Sequence, residues 1–241
     1  MFYWFVKYTL RPLFLLLFSP RVMGAERIPA RGGALLASNH LSMCDSLFLP
    51  VLTRRRVTFL AKSEYFTGRG IKGRAKAAFV RGTGLLPIER GNSDAAAAAL
   101  AAGVRVLRTG RLLGVYPEGS RSPDGRLYRG KTGVVRMALL AQVPVVPVAM
   151  VGTDKVLPIG ETVPRRTRVE IRIGEPLDFS VYAGRADDPT VLRALTDDLM
   201  LAIGRLSGQE RTAADAALAR RAASLPRLGP AARPDVTQPV D

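Results

Sequence analysis

The stretch GALLASNHLSMCD, residues 33–45, joins an apolar run to a polar turn. The run, residues 33–39, does not alternate with polar residues, which is typical of a strand buried on both faces of a parallel sheet. The turn contains the only histidine and the only cysteine of the 241-residue chain, and Asp45 follows His40 by five positions. The stretch therefore predicts a central strand that ends in a cluster of reactive side chains.

Similar apolar runs, rich in Leu and Val, recur along the chain and alternate with helical segments. Further strands are predicted at residues 57–62, 84–89, 111–117, 143–151 and 168–174. Helices are predicted at residues 94–109, 133–142 and 188–206, where the spacing of apolar positions and the flanking Asn, Ser and Gly residues favour them. This alternation predicts an α/β fold with a central, mainly parallel sheet flanked by helices.

The charge of the chain restricts its partners. Lys and Arg number 36 against 20 acidic residues, giving a formal net charge of +16, so nucleic acid, an anionic membrane and phosphorylated substrates are all candidates. A single cysteine cannot form an internal disulfide, which is compatible with a reducing compartment. One Cys and one His also offer few ligands for zinc, and we predict no metal site.

Residues 1–24 are predicted to form a membrane-associating helix. The longest uncharged run there, residues 12–20, is shorter than the roughly 20 apolar residues needed to span a bilayer. Aromatic residues beside basic ones suit a helix lying in the headgroup layer, with Lys7 and Arg11 directed at lipid phosphates. The alternative is a helix packed on the protein's own core.

The chain changes character after Leu206. Residues 207–241 are rich in Ala, Arg and Pro and contain few large apolar residues, so they cannot bury much surface. We therefore predict one domain over residues 25–206, followed by a largely disordered tail that includes a short helix near residues 210–223.

Asp45 has two interpretations. Ser42 and Asp45 have the spacing of a capping box, in which Ser42 begins a helix and Asp45 reaches back to it. Alternatively, His40 lies in the turn before the helix and its Nδ1–H bonds to Asp45, which leaves Nε2 as a general base. Cys44 is a poor nucleophile because the adjacent carboxylate raises its thiol pKa, so such a pair would activate a hydroxyl of the substrate.

A second polar cluster, YPEGSRS at residues 116–122, follows a predicted strand. Gly119 lets backbone N–H groups approach an anion, Ser120 and Ser122 offer hydroxyls, and Arg121 offers a bidentate fork for phosphate. Glu118 would oppose a phosphate unless it binds a cation or orients a backbone loop. An ordinary β-turn is the alternative interpretation.

These blocks together resemble the glycerolipid acyltransferase family, in particular its 1-acylglycerol-3-phosphate acyltransferases. His40 and Asp45 match the family's histidine–four residues–aspartate block, and residues 116–122 match its Phe-Pro-Glu-Gly-Thr-Arg-Ser block with Tyr for Phe and Ser for Thr. GLLPIER, residues 84–90, is similar to the second block, although Pro87 replaces the aromatic residue. VPVVPVAM, residues 143–150, resembles the fourth block, and the order agrees throughout.

The resemblance implies that His40, oriented by Asp45, deprotonates the free hydroxyl of a lysophosphatidate-like acceptor. The product would be phosphatidic acid for phospholipid biosynthesis. The donor would be a thioester of CoA or acyl-carrier protein, with no metal or bound cofactor. The family pattern assigns the acceptor's phosphate and its positioning to Lys62, Arg90, Glu118, Gly119, Ser120 and Arg121. The expected location is the cytoplasmic face of the cell membrane, as a peripheral or monotopic protein.

Two alternatives remain at this point. Within the family, the acceptor could be glycerol-3-phosphate or another lipid, because motifs that bind a hydroxyl and a phosphate do not define the rest of the molecule. In another class, the net charge and the Arg54–Arg56 run would suit a basic nucleic-acid-binding module. The basic residues are scattered and no nucleic-acid motif is evident, so we expect no nucleic-acid partner.

Overall fold

The computed structural model of the chain describes residues 2–63, 66–67, 70, 73–74, 85–88 and 93–223. Its strands are β1 (Arg21–Met23), β2 (Ala34–Ser38), β3 (Val57–Lys62), β4 (Leu85–Ile88), β5 (Leu112–Val115), β6 (Val145–Val151) and β7 (Glu170–Ile173). Its α-helices are α1 (Phe2–Phe18), α2 (Asp45–Leu52), α3 (Ser93–Arg108), α4 (Gly133–Ala141), α5 (Thr153–Val156), α6 (Pro189–Ser207) and α7 (Ala216–Ala223).

Within the described residues the strands form one seven-stranded sheet in the order β1-β7-β6-β2-β5-β3-β4. Pairing is parallel except between β6 and β7. The predicted α/β class with a mainly parallel sheet is therefore confirmed. The sequence analysis missed β1, a three-residue strand with exposed ends that shows no strand periodicity. It forms because Arg21–Met23 pairs with residues 170–172 at the edge of the sheet.

Helices cover both faces of the sheet, which explains the uninterrupted apolar sequence of β2. Its Leu35 and Ala37 belong to one core cluster, with buried side chains of α3, α4 and α6. Its Ala34 and Leu36 belong to a second cluster, with buried side chains of α1, α2 and α5. Because each of the first four residues of this strand belongs to a core cluster, its one polar residue, Ser38, stands at the end of the strand.

Helix α1 packs on α2 through aromatic contacts. The rings of Phe14 and Phe18 lie 4.8 and 5.2 Å from the ring of Phe48, centroid to centroid, in edge-to-face arrangements. Phe48 is fully buried. The opposite face of α1 exposes large apolar side chains to solvent: Trp4, Phe5, Tyr8, Leu13, Leu15, Leu16 and Leu17. The helix therefore packs on the core with one face and presents a second apolar face outward. In the described part of the chain, no helix combines the length and hydropathy required to cross a membrane.

The structure corrects the prediction that Lys7 meets lipid phosphates. Lys7 is buried, and its amine donates to the carbonyl oxygens of Thr53 and Arg54, just beyond the C-terminus of α2. A cation is favourable there because the last carbonyls of a helix have no partners within the helix. Burial, with a smaller contribution from the charge of Arg11, lowers the pKa of Lys7 to about 8. Arg11 itself is exposed.

The packed part of the chain extends beyond Leu206, where the sequence analysis ended the domain. After α6, residues 208–215 pair through backbone hydrogen bonds with residues 127–129, and α7 follows. Few large apolar residues are needed, because backbone pairing does not depend on side-chain type. The rest of the predicted tail, with disorder expected from about Leu225, lies outside the described residues.

The aromatic contact between α1 and α2 predicts a specific stability effect. Phe48→Ala should lower the free energy of unfolding by about 3–5 kcal/mol, because the cavity removes the surface on which Phe14 and Phe18 pack. Leu16→Ala is the matched control, since Leu16 is 70% exposed and should change stability by less than about 0.5 kcal/mol. Urea unfolding followed by circular dichroism measures both, and equal effects would contradict this packing.

Candidate active site

His40 and Asp45 meet at the junction between β2 and α2. The chain leaves the sheet at Ser38, turns through residues 39–44 and enters α2 at Asp45. His40 Nδ1 lies 2.9 Å from Asp45 Oδ2, so the predicted hydrogen bond is present. An ionised carboxylate only accepts, which places the ring proton on Nδ1 and leaves Nε2 as the basic nitrogen. The His40 side chain is 17% exposed and thus open to a substrate.

The same carboxylate oxygen organises the turn. Asp45 Oδ2 also accepts from the backbone N–H groups of Leu41 and Ser42, at 2.8 and 2.9 Å, and the side chain is fully buried. The capping-box interpretation is thus correct only in part. Cys44 is the N-cap residue, and the Ser42 hydroxyl donates to the carbonyl of Leu157. Asp45 both completes the turn and orients the histidine.

Tyr116, the first residue of the second polar cluster, supports the imidazole ring. The two rings stack with centroids 3.8 Å apart and planes 8° from parallel. The Tyr116 hydroxyl lies 2.9 Å from Ser46 Oγ, in the first turn of α2. Burial raises the pKa of Tyr116 well above its usual value, and the charge of Asp45 adds to the effect. Tyr116 is therefore a neutral support that links β5 to α2.

Glu118 orients two backbone segments. Its carboxylate is buried and accepts from His40 N–H at 3.0 Å and from Tyr128 N–H at 2.9 Å. The pKa of Glu118 is raised to about 7, mainly by burial, although the two backbone hydrogen bonds act to lower it. Of the alternatives for this residue, the orientation of a backbone loop is the one observed. The carboxylate connects the histidine turn to the loop before α4.

The loop after β5 places Gly119, Ser120 and Arg121 beside the histidine turn. Ser122 N–H donates to the His40 carbonyl at 2.8 Å, which joins the two loops directly. Gly119 has φ +70°, a conformation that favours glycine, and a Cβ built there would lie 3.0 Å from the Lys131 side chain. Lys131 is a basic residue of this site that the sequence analysis missed, because no motif includes it.

Of the other residues predicted to bind the phosphate, Lys62 and Arg90, only Lys62 lies among the described residues. Lys62 is the last residue of β3, and parallel pairing places its backbone at the same edge of the sheet as the ends of β2 and β5. Arg90 lies outside the described residues. Ser122, which the sequence analysis also considered, bonds through Oγ to Asp124 at 3.3 Å.

An apolar cavity of about 230 Å³ opens next to the polar cluster. Tyr116, Gly119 and Lys131 form part of its wall. Its apolar lining comes from β3, α3, β5 and α4: Leu60, Ala99, Leu100, Val115, Val134 and Met137. An apolar cavity beside cationic and hydroxyl groups can accommodate an alkyl chain that carries a polar head.

Cys44 is unsuited to nucleophilic attack. Burial is the main cause of its raised pKa, and the charge of Asp45 adds to it, so the residue is a thiol at neutral pH. The predicted direction is confirmed, although burial contributes more than the neighbouring carboxylate. In the part of the chain that the structure describes, no group of three or more His, Cys, Asp or Glu side chains could hold a metal ion.

Comparisons with known proteins identify the family of this chain. The acyltransferase family model matches residues 19–151. The 1-acyl-sn-glycerol-3-phosphate acyltransferase of Bacillus subtilis is 27% identical over 165 residues, which are 68% of this chain and 76% of that protein. A chloroplastic enzyme of the same name from Brassica napus is 29% identical over 69% of this chain and 46% of its own length.

A solved structure is also similar. The crystal structure of the 1-acyl-sn-glycerophosphate acyltransferase from Thermotoga maritima matches with a TM-score of 0.58 and 25% identity, over 78% of this chain and 72% of that one. The chain spans most of the bacterial relatives named here but less than half of the plant relative. Because the family model covers more than half of the chain and includes both polar clusters, this chain belongs to the acyltransferase family of enzymes.

Proposed function

We propose that the chain transfers a fatty acyl group from a thioester to the free hydroxyl of 1-acylglycerol-3-phosphate and thereby forms phosphatidic acid. The thioester would be acyl-CoA or acyl-carrier protein. The observation that supports this most directly is the His40–Asp45 hydrogen bond, placed beside the loop of Gly119 and Arg121. The printed names of the bacterial and plant relatives support the choice of acceptor.

The proposed reaction begins with proton transfer. His40 Nε2 takes the proton of the acceptor hydroxyl while the oxygen attacks the thioester carbonyl carbon. The Asp45 carboxylate stabilises the imidazolium that forms. The tetrahedral intermediate then collapses, the C–S bond breaks, and the imidazolium returns the proton to the leaving sulfur. The thioester supplies the activation, so this route uses no metal and no bound cofactor.

The acceptor's phosphate would bind the loop after β5. Arg121 offers a planar fork to the phosphate, Gly119 lets it approach the backbone, and Ser120 offers a hydroxyl. Lys62 and Arg90 would complete the cationic surroundings. Glu118 stays out of this contact, because both of its oxygens accept from backbone N–H groups.

The apolar cavity and α1 would place both lipid chains. The cavity lined by Leu60, Leu100 and Met137 would take an acyl chain close to His40. The outward face of α1 would lie in the interface of the membrane's cytoplasmic leaflet, where its aromatic and Leu side chains are favourable. The net charge of +16 would strengthen adsorption to anionic lipid.

Direct assays separate this activity from related ones. Acyl transfer is measured in parallel to lysophosphatidate and to glycerol-3-phosphate, each with acyl-CoA and with acyl-carrier protein. The proposal requires lysophosphatidate to be the better acceptor. Preferential transfer to glycerol-3-phosphate would replace it with the related activity.

Removing the general base should abolish most of the rate. His40→Ala is expected to lower kcat by about 10²–10⁴-fold in a folded protein, and Asp45→Asn should also be severe because Nδ1 loses its orienting partner. Cys44→Ser is the control and should remain active, since no covalent acyl-enzyme is involved. Full activity of folded His40→Ala, or inactivity of folded Cys44→Ser, would contradict this mechanism.

Arg121 should matter more for the acceptor than for the thioester. Arg121→Ala is expected to raise the KM of lysophosphatidate about 10- to 100-fold, because hydrogen bonds to a charged phosphate are lost. Arg121→Lys should recover part of the loss, since an ammonium keeps the charge without the fork. Equal effects on the KM of both substrates would assign Arg121 to the fold or to the donor instead.

The outward face of α1 should control membrane binding. Leu16→Glu is expected to weaken binding to vesicles of anionic phospholipid at least ten-fold. The substitution removes an apolar contact with the lipid and introduces a carboxylate that the anionic head groups repel. Activity on a short-chain, water-soluble acceptor should persist. Val181→Glu is the matched control, since Val181 is 83% exposed on a different element. Unchanged vesicle binding by Leu16→Glu would contradict the proposal that α1 lies in the membrane interface.

A further inference from the structure

The segment after α6 pairs through its backbone with residues 127–129, in the loop between β5 and α4. Residues 208–215, here called the C-terminal strap, lie outside the region matched by the family model. Leu127 N–H donates to the Glu210 carbonyl and Thr212 N–H donates to the Leu127 carbonyl, both at 2.8 Å. Arg129 N–H donates to the Ala214 carbonyl at 3.1 Å. The strap thus holds the loop whose Tyr128 N–H binds Glu118.

Gln209 is the strap residue that reaches both sides of the site. Its half-buried side chain donates through Nε2 to the Gly125 carbonyl at 2.6 Å and accepts through Oε1 from Asn39 Nδ2 at 2.7 Å. One amide thereby joins the loop before α4 to the residue immediately before the catalytic histidine. Only a side chain with both a donor and an acceptor can make this pair of bonds.

Asn39 is fixed on its other side by the sheet. It is fully buried, its Oδ1 accepts from Met150 N–H at 2.7 Å, and its Nδ2 donates to the Met150 carbonyl at 3.0 Å. The side-chain amide therefore continues the pairing of β2 with β6 after the backbone has turned away. Gln209 is in this way attached to the centre of the sheet.

The hydrogen bonds form a closed ring around the site. His40 N–H binds Glu118 Oε1, Glu118 Oε2 accepts from Tyr128 N–H, and the loop leads back to Gly125. From Gly125 the connection passes through Gln209 to Asn39, which is joined covalently to His40. A shift of the loop relative to His40 must therefore break a bond in the ring.

We propose that Gln209 is a positioning residue for His40, which closes this ring and fixes the histidine turn against the loop of Glu118 and Tyr128. The inference rests on the proposed function, because it assigns His40 as the base. The side-chain hydrogen bonds of Gln209 go to Asn39 and Gly125 and not to the imidazole. Gln209 acts through these two residues.

The test compares Gln209→Met with Ser207→Ala. Methionine keeps the length of the side chain but makes neither hydrogen bond, so kcat should fall roughly ten-fold while the KM of the thioester stays unchanged. Ser207→Ala removes only a backbone bond of Gln209, in which its N–H donates to Ser207 Oγ at 3.2 Å, and leaves both of its side-chain bonds in place. It should retain full kcat with a similar effect on stability.

A spectroscopic readout separates positioning from general destabilisation. His40 is the only histidine, so its imidazole gives a single, unambiguous set of NMR signals. These signals should shift or broaden in Gln209→Met and stay unchanged in Ser207→Ala. Should Gln209→Met not fold, Gln209→Glu replaces it. A carboxylate still accepts from Asn39 but cannot donate to Gly125, so kcat should fall and the signals should move in the same direction.

Two results would overturn the proposal: an unchanged kcat and imidazole spectrum in Gln209→Met, or equal losses of kcat in Gln209→Met and Ser207→Ala. Failure of the proposed function has a different signature. In that case the unmodified protein transfers no acyl group to any tested acceptor, whereas the imidazole spectra still show whether Gln209 positions His40.

Discussion

The burial of β2 on both faces is the constraint on which the site depends. The strand pairs in parallel with β5 and β6, and its five residues have no exposed surface. Parallel neighbours end at the same edge, so the residues that follow β2 and β5 meet there. His40 and Tyr116 stack although they are far apart in the chain. The covered sheet forms the base of the site, and His40 and Tyr116 lie just beyond the ends of β2 and β5.

Two buried carboxylates convert that edge into an ordered site. Backbone N–H groups donate to both Asp45 and Glu118, and His40 Nδ1 is a further partner of Asp45. Burying a carboxylate costs free energy unless hydrogen-bond donors surround it. The turns around Asp45 and Glu118 must therefore keep their N–H groups directed at these carboxylates. Asp45 fixes the imidazole and the start of α2, whereas Glu118 fixes the two loops relative to each other. The rigidity that catalysis requires follows from these bonds.

Helix α1 packs on the core with one face and exposes apolar side chains on the other. Its inner face contributes Phe14 and Phe18 to the contact with Phe48, and Lys7 binds the carbonyls beyond α2. Its outer face remains apolar and exposed. Since α2 begins at Asp45, α1 packs on the helix that carries this carboxylate. This arrangement explains why a single segment resembles both a core helix and an interfacial one.

The sequence by itself determined the strands other than β1, the major helices and the candidate pair of His40 and Asp45, although it left the role of Asp45 open between a helix cap and a partner of the histidine. Local patterns in the sequence are sufficient for these predictions. Such patterns are the apolar runs of buried strands, the helical spacing of apolar residues and the five-residue separation of His40 and Asp45. Only the tertiary structure decided the partners of Lys7, the stacking of Tyr116 and the bridge from Asn39 to Gln209, which joins residues 170 positions apart. Such contacts leave no period in the sequence, because they depend on where distant elements are brought together by the packing of the sheet.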